Sequence, residues 1–173
     1  MINAKQLRNK ENLHQICDNK PGLYKWWAEY SEAKYIAEKL GFDFDELKSY
    51  VEYKENKYCI YVGIAVGESL RKRINIHINR KSTKSSTLRK SISSIVAGNH
   101  TDAEKTDYFI DKLYVEYCHK DYPVGSKEAS ENLHTKERCI LQNHLCLLNI
   151  QNNNHPEAEP VKKSLRALRK RSK

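Results

Sequence analysis

The chain has no Cys-x-x-Cys pair, no internal repeat, no apolar run long enough to span a bilayer and no apolar N-terminal stretch of the signal-peptide kind. The missing apolar runs argue against a membrane partner, and the missing export signal points to a cytoplasmic protein. The five cysteines, Cys17, Cys59, Cys118, Cys139 and Cys146, are odd in number and read as reduced thiols. A zinc site assembled from Cys139, His144 and Cys146 with Cys118-His119 fits no familiar finger spacing, so buried free thiols are the simpler reading. Acidic residues are the other notable absence. Residues 69–101 hold 8 Lys/Arg and no Asp/Glu, and residues 162–173 hold 7 and none. Elsewhere the balance is even or acidic, with 10 against 11 over 1–68 and 6 against 11 over 102–161. The net charge of +9 is therefore concentrated in two patches that read as phosphate-contacting surfaces. A solvated helix face and a frayed tail are the plainer alternatives.

At 173 residues, 39% hydrophobic and 31% charged, the chain is expected to form one domain over 1–161 followed by a basic tail over 162–173. A modest helical pattern over 4–17 ends at Asp18-Asn19-Lys20-Pro21. An aromatic strand, Leu23-Tyr24-Lys25-Trp26-Trp27, follows. Ser31 and Asp43 are candidate caps for helices running to Gly41 and to Val51. The run 58–65 is apolar on both alternating sets and is expected as a central strand. Helices are expected over 69–80 and 87–97, a Ser/Thr/Lys loop over 81–86, a strand over 113–117, a long helix over 126–146 and a short extended segment over 147–151.

Several side chains stand out on these elements. Arg73 and His77 are four apart on one helix, so they share a face beside the apolar line Leu70-Ile74-Ile78. On the long helix Glu137 interrupts the stripe Ala129-Leu133-Ile140-Leu141-Leu145. A carboxylate facing the core side needs a metal ion, an arginine or hydrogen bonds, unless it reaches solvent at the stripe's edge. Tyr24 shares a strand face with Gly22, and Tyr61 with Gly63. A glycine beside a phenol leaves room for a ligand to approach, although either tyrosine could also be a core aromatic bonded through its hydroxyl.

Gly22-Leu23-Tyr24, then Tyr61-Val62-Gly63, then Leu70-x-x-Arg73-Ile74-x-x-His77 resembles the GIY-YIG nuclease family over roughly 21–152. The resemblance implies an α/β (α+β) fold with a small three-stranded antiparallel sheet flanked by helices. It assigns Tyr24 and Tyr61 as the signature tyrosines, Arg73 as the arginine, Glu137 as the glutamate and Asn149 as the asparagine, with His77 at a histidine-or-tyrosine position. It also makes Glu137 the protein ligand of one Mg²⁺ or Mn²⁺, Arg73 the phosphate contact and a tyrosine the base; Tyr24 is favoured, with Tyr61 or His77 orienting the water, although sequence alone does not rank the three.

This chain departs from the pattern in a long helical insertion over 29–57 and in about two added residues before Leu70, which makes Arg71 a rival to Arg73. The insertion is similar to that of restriction-type members. The expected function is a metal-dependent endonuclease acting on double-stranded DNA, sequence-specific in the restriction manner. The alternatives are a DNA- or RNA-binding module that uses the basic 69–101 region without cutting, and a partner-binding scaffold. Arg71, Lys72, Arg80, Lys81, Lys84, Arg89 and Lys90 are the expected DNA contacts. The recognition sequence and the oligomeric state, a homodimer included, are left open.

Overall fold

A computed structural model describes residues 1–16, 18–79, 86–98 and 102–171. Among these, strands β1 (Ile2–Asn3), β2 (Gly22–Ala28), β3 (Tyr53–Lys54), β4 (Lys57–Ala65) and β5 (Tyr114–His119) form one antiparallel sheet in the order β1-β5-β2-β4-β3. The three-stranded expectation is corrected to five, because two-residue strands at each edge extend the three long ones. Such pairings, Ile2↔Val115 and Tyr53↔Tyr58, are too short to leave an alternating pattern in the sequence. The centre is β2, paired along its length with both β4 and β5. The strand β4 is interior, as its two apolar faces implied: it pairs with β2 on one side and β3 on the other, and each of its faces contributes to a buried core.

The helices are α1 (Lys10–His14), α2 (Tyr30–Leu40), α3 (Phe44–Leu47), α4 (Leu70–Asn79), α5 (Thr87–Val96), α6 (Ala103–Ile110), α7 (Lys127–Asn143) and α8 (Ala158–Arg171). Their ends follow local chemistry. Asp43, Ser86, Asp102 and Ser126 accept hydrogen bonds from the first-turn amides of Asp45, Arg89, Lys105 and Ala129. Gly41, at φ +86°, terminates α2 in the left-handed conformation that favours glycine. The insertion supplies α2, α3 and β3, and α2 packs against α5, α8 and the sheet. The basic stretch from Lys162 is corrected from a tail to the body of α8, which buries Ala158, Val161 and Leu165 in the main core.

Two cores take opposite faces of the sheet. Tyr24, Trp26, Ala28 and Tyr61 belong to the larger core, with residues of α2, α4, α5 and α8. Trp27, Cys59 and Val62 form the smaller one with Leu141 of α7 and Cys146. The register changes between Trp26↔Tyr61 and Trp27↔Cys59, so β4 carries one extra residue, Ile60. This bulge breaks the alternation and puts Ile60 and Tyr61 in the same core. It thereby aims Tyr61 at the side of the sheet where Tyr24 stands.

Beyond β3, the free edge of β4 is closed by the segment after α7. Leu148 N–H donates to Ile60 O at 3.0 Å. The Asn149 side chain then accepts from Val62 N–H at 2.9 Å and donates to Val62 O at 2.8 Å, as a neighbouring strand would. Asn153 ties the same turn by donating to Cys146 O and Asn149 O.

Candidate active site

The end of β4 and the helices above it enclose a polar cleft of about 270 Å³. Tyr24, Tyr61, Arg73, Glu137 and Asn149 all line it, from five separate parts of the chain. His77 does not. It lies fully buried behind Tyr24, with Nε2 2.7 Å from the phenol oxygen and Nδ1 2.7 Å from Ser86 Oγ. Because Ser86 also caps α5, the start of that helix fixes the histidine ring. Burial, then the nearby guanidinium groups of Arg73 and Arg89, holds the imidazole well below its usual pKa, so His77 is neutral.

The two phenols differ in what supports them. Tyr24 is buried, and its ring fills the space that a side chain on Gly63 would occupy: a Cβ there would sit 2.6 Å from Tyr24 Cζ. The glycine thus makes room for the tyrosine itself, not for an approaching ligand backbone. Burial and the neighbouring Tyr61 push the Tyr24 phenol well above its ordinary pKa, against the opposing effect of Arg73. Tyr61 exchanges a 2.8 Å hydrogen bond with Thr87 Oγ1, and burial raises its phenol too.

Glu137 occupies the position its helical stripe requires, in line with the buried Ala129, Leu133 and Leu141 and 8% exposed. Burial raises its carboxyl above the usual range, opposed by a hydrogen bond from Asn152 and by His134. Asn152 Nδ2 donates to Oε2 at 2.9 Å from a left-handed turn at φ +59°, which asparagine tolerates, and His134 Nδ1 lies 3.9 Å from the same oxygen. Both contacts use Oε2, so Oε1 is left to serve a ligand in the cleft. Among the described residues no group of three or more His, Cys, Asp and Glu side chains converges. A single carboxylate in a polar cleft suits a hard, octahedral cation that keeps most of its waters, and it does not suit zinc.

The expected DNA contacts separate into three groups. Arg89 is corrected to a structural residue. It is fully buried, pairs with Asp107 at 2.7 Å and donates to the carbonyls of His77 and Ile78 at the end of α4. Arg71 is likewise committed, to Ile16 O, His14 O and the carboxylate of Asp18. Lys72 is exposed and lines a hollow next to the cleft with Arg73 and His134, while Lys90 is half-buried on α5. Arg80, Lys81 and Lys84 lie outside the described residues. Arg73 keeps the cleft position that its register with His77 implied, held from one side by Glu68 at 3.2 Å.

Sequence reasoning did not find Thr87, Ser86, Asn152, His134 or Arg169 at this site. Only Ser86 carried a local signal, a serine directly before a helical run.

The GIY-YIG catalytic domain family matches residues 22–171, from the first residue of β2 to the last of α8. Comparison with curated proteins and with solved structures gives no match. No described helix is long and apolar enough to cross a membrane. The match covers most of the chain and every residue that lines the cleft, so this chain belongs to the GIY-YIG catalytic domain family and is an endonuclease, a hydrolase of phosphodiester bonds.

Proposed function

We propose that the chain cuts double-stranded DNA in a divalent-metal-dependent and sequence-specific way, as a restriction-type member of its family. The observation that carries this reading is the convergence of Tyr24, Tyr61, Arg73 and Glu137 on one polar cleft. Family members generally use divalent metal ions. Here Glu137 would hold Mg²⁺ or Mn²⁺, with Asn152 fixing the carboxylate, and the bound ion would supply charge neutralisation at the phosphate.

The remaining chemistry belongs to side chains already in place. Arg73 binds the scissile phosphate through its guanidinium, in competition with Glu68. Neutral His77 can donate Nδ1–H to Ser86 Oγ and accept the Tyr24 hydroxyl proton at Nε2. In that tautomer the phenol oxygen accepts from the cleft side, where Arg73 also reaches it. We take Tyr24, once ionised beside Arg73 with its proton lost to solvent, as acceptor of the attacking water's proton, while His77 stays neutral throughout. Tyr61, held by Thr87, orients the water or the leaving oxygen. Asn149 serves the site indirectly, by closing the edge of β4 two residues from Tyr61 and one from Gly63.

The test is incubation of the purified protein with unmethylated phage DNA and Mg²⁺ or Mn²⁺. Discrete fragments are expected, with none in EDTA. A smear would remove sequence specificity, cutting in EDTA would remove metal dependence, and salt-sensitive binding without cutting would favour the binding-module alternative.

A further inference from the structure

The basic residues of α8 read in sequence as an accessory clamp on DNA, but one of them stands inside the cleft. Arg169 lines it together with Tyr24, Tyr61, Arg73, Glu137 and Asn152. Its Nη2 donates to Thr87 O at 2.8 Å and to Ser91 Oγ, so the guanidinium is pinned to the first turns of α5. The helix that carries it is fixed by Ala158, Val161 and Leu165 in the core. The position is therefore pre-organised, and an arginine held in that way loses little entropy when it meets a phosphate. Among the described residues lining the cleft, Glu137 is the one carboxylate. Arg73 reaches the same cleft from α4, so two guanidinium groups enter from separate elements.

We infer that Arg169 is a second arginine for the substrate, contacting the non-bridging oxygens of the DNA phosphate bound in the cleft, so that α8 completes the active site. This rests on the endonuclease reading above. A bound phosphodiester carries its charge on those oxygens, and a guanidinium matches them with two parallel donors. The competing explanation is mechanical: Arg169 fixes Thr87, and through it Tyr61, without touching DNA.

The experiment separates the two. Binding of a short DNA duplex is measured in EDTA against salt concentration for wild type, Arg169→Gln and Arg169→Lys, and cleavage is measured with Mg²⁺ or Mn²⁺. The glutamine keeps a polar amide but carries no charge. It should lower the slope of log K against log salt by about 0.9, the loss of one phosphate contact, and slow cleavage at least about tenfold. The lysine should keep the wild-type slope. A wild-type slope in Arg169→Gln overturns the inference, even if cleavage is lost, because that pair of results is the mechanical role.

A second measurement needs no variant. Arginine-directed dicarbonyl labelling of the wild-type protein, read by mass spectrometry, should show Arg169 protected by duplex DNA. Equal labelling with and without DNA overturns the inference. Failure of the endonuclease reading would show differently, as a wild-type protein that does not cut with either metal.

Discussion

Lowering the pH from 7.5 to about 5 should cost the fold about 2 kcal/mol through His77 alone. The imidazole is fully buried, and its pKa is driven well below 6.5 by burial and by Arg73 and Arg89. Every element packed against it contributes: Tyr24 and Trp26 from β2, Tyr61 from β4, Ser86 and Arg89 from the start of α5, and Arg73 on its own helix. None of these is a carboxylate that would welcome an imidazolium. In the unfolded chain His77 titrates near 6.5. Below that pH the unfolded state binds a proton that the native state does not, so stability falls as pH falls, by up to about 1.4 kcal/mol per pH unit. Above pH 6.5 both states are neutral and the effect vanishes.

The measurement is denaturant unfolding of wild type and His77→Gln at both pH values. Comparing the two proteins removes the other histidines and the opposite contribution of Glu137, whose raised pKa favours the native state as acid is added. The variant should be less stable at neutral pH and should lose about 2 kcal/mol less on acidification, a difference worth roughly 4–8 °C in Tm for a chain of this size. Equal pH dependence in the two proteins would refute the claim that His77 is held neutral.

Other outcomes follow from the same geometry. Arg89→Met should cost about 1–3 kcal/mol, since His77 O loses its donor while Arg8 still reaches Ile78 O and Asp107, and the salt slope of DNA binding per folded molecule should stay unchanged; a soluble, stable variant with a shallower slope would restore Arg89 to the DNA surface. Asn149→Ala should destabilise by about 1–3 kcal/mol, since Val62 loses partners for both its N–H and its C=O, as chemical denaturation would register; unchanged stability would mean that the edge of β4 is closed in another way. Tyr24→Phe should leave the fold within about 1–3 kcal/mol of wild type yet cut far more slowly, because the phenol oxygen between His77 and the cleft is gone; full activity would move the base role to Tyr61.

Much of the site could be read from periodicity. The spacing of Ala129, Leu133 and Leu141 sets the side of α7 on which Glu137 is buried, and four-residue spacing puts Arg73 and His77 on one side of α4, where both meet Tyr24. What the sequence concealed has physical causes. The bulge at Ile60 sets Tyr61 against the alternation of its own strand, and no local pattern announces a skipped pairing. Arg89 was counted as surface charge because sequence cannot reveal that the end of α4 needs a buried cation. In the last segment, Val161 and Leu165 are one helical turn apart and pack in the core, but the surrounding basic residues suggested a tail. Asn149 fits the motif, yet both ends of its side chain are spent on Val62, a contact across 87 residues of chain.

On the proposed reading, Glu137 holds the divalent ion that cleavage requires. Supercoiled plasmid should be incubated with wild type and Glu137→Gln over a range of Mg²⁺ and Mn²⁺ concentrations, with duplex binding in EDTA as the control for folding and substrate affinity. The substitution keeps the shape and can still meet Asn152, but it removes the negative charge proposed as the cation's ligand. Wild type should cut only with metal and Glu137→Gln not at all, while binding DNA as tightly as before; wild-type cutting by a folded Glu137→Gln protein would remove Glu137 as the metal ligand.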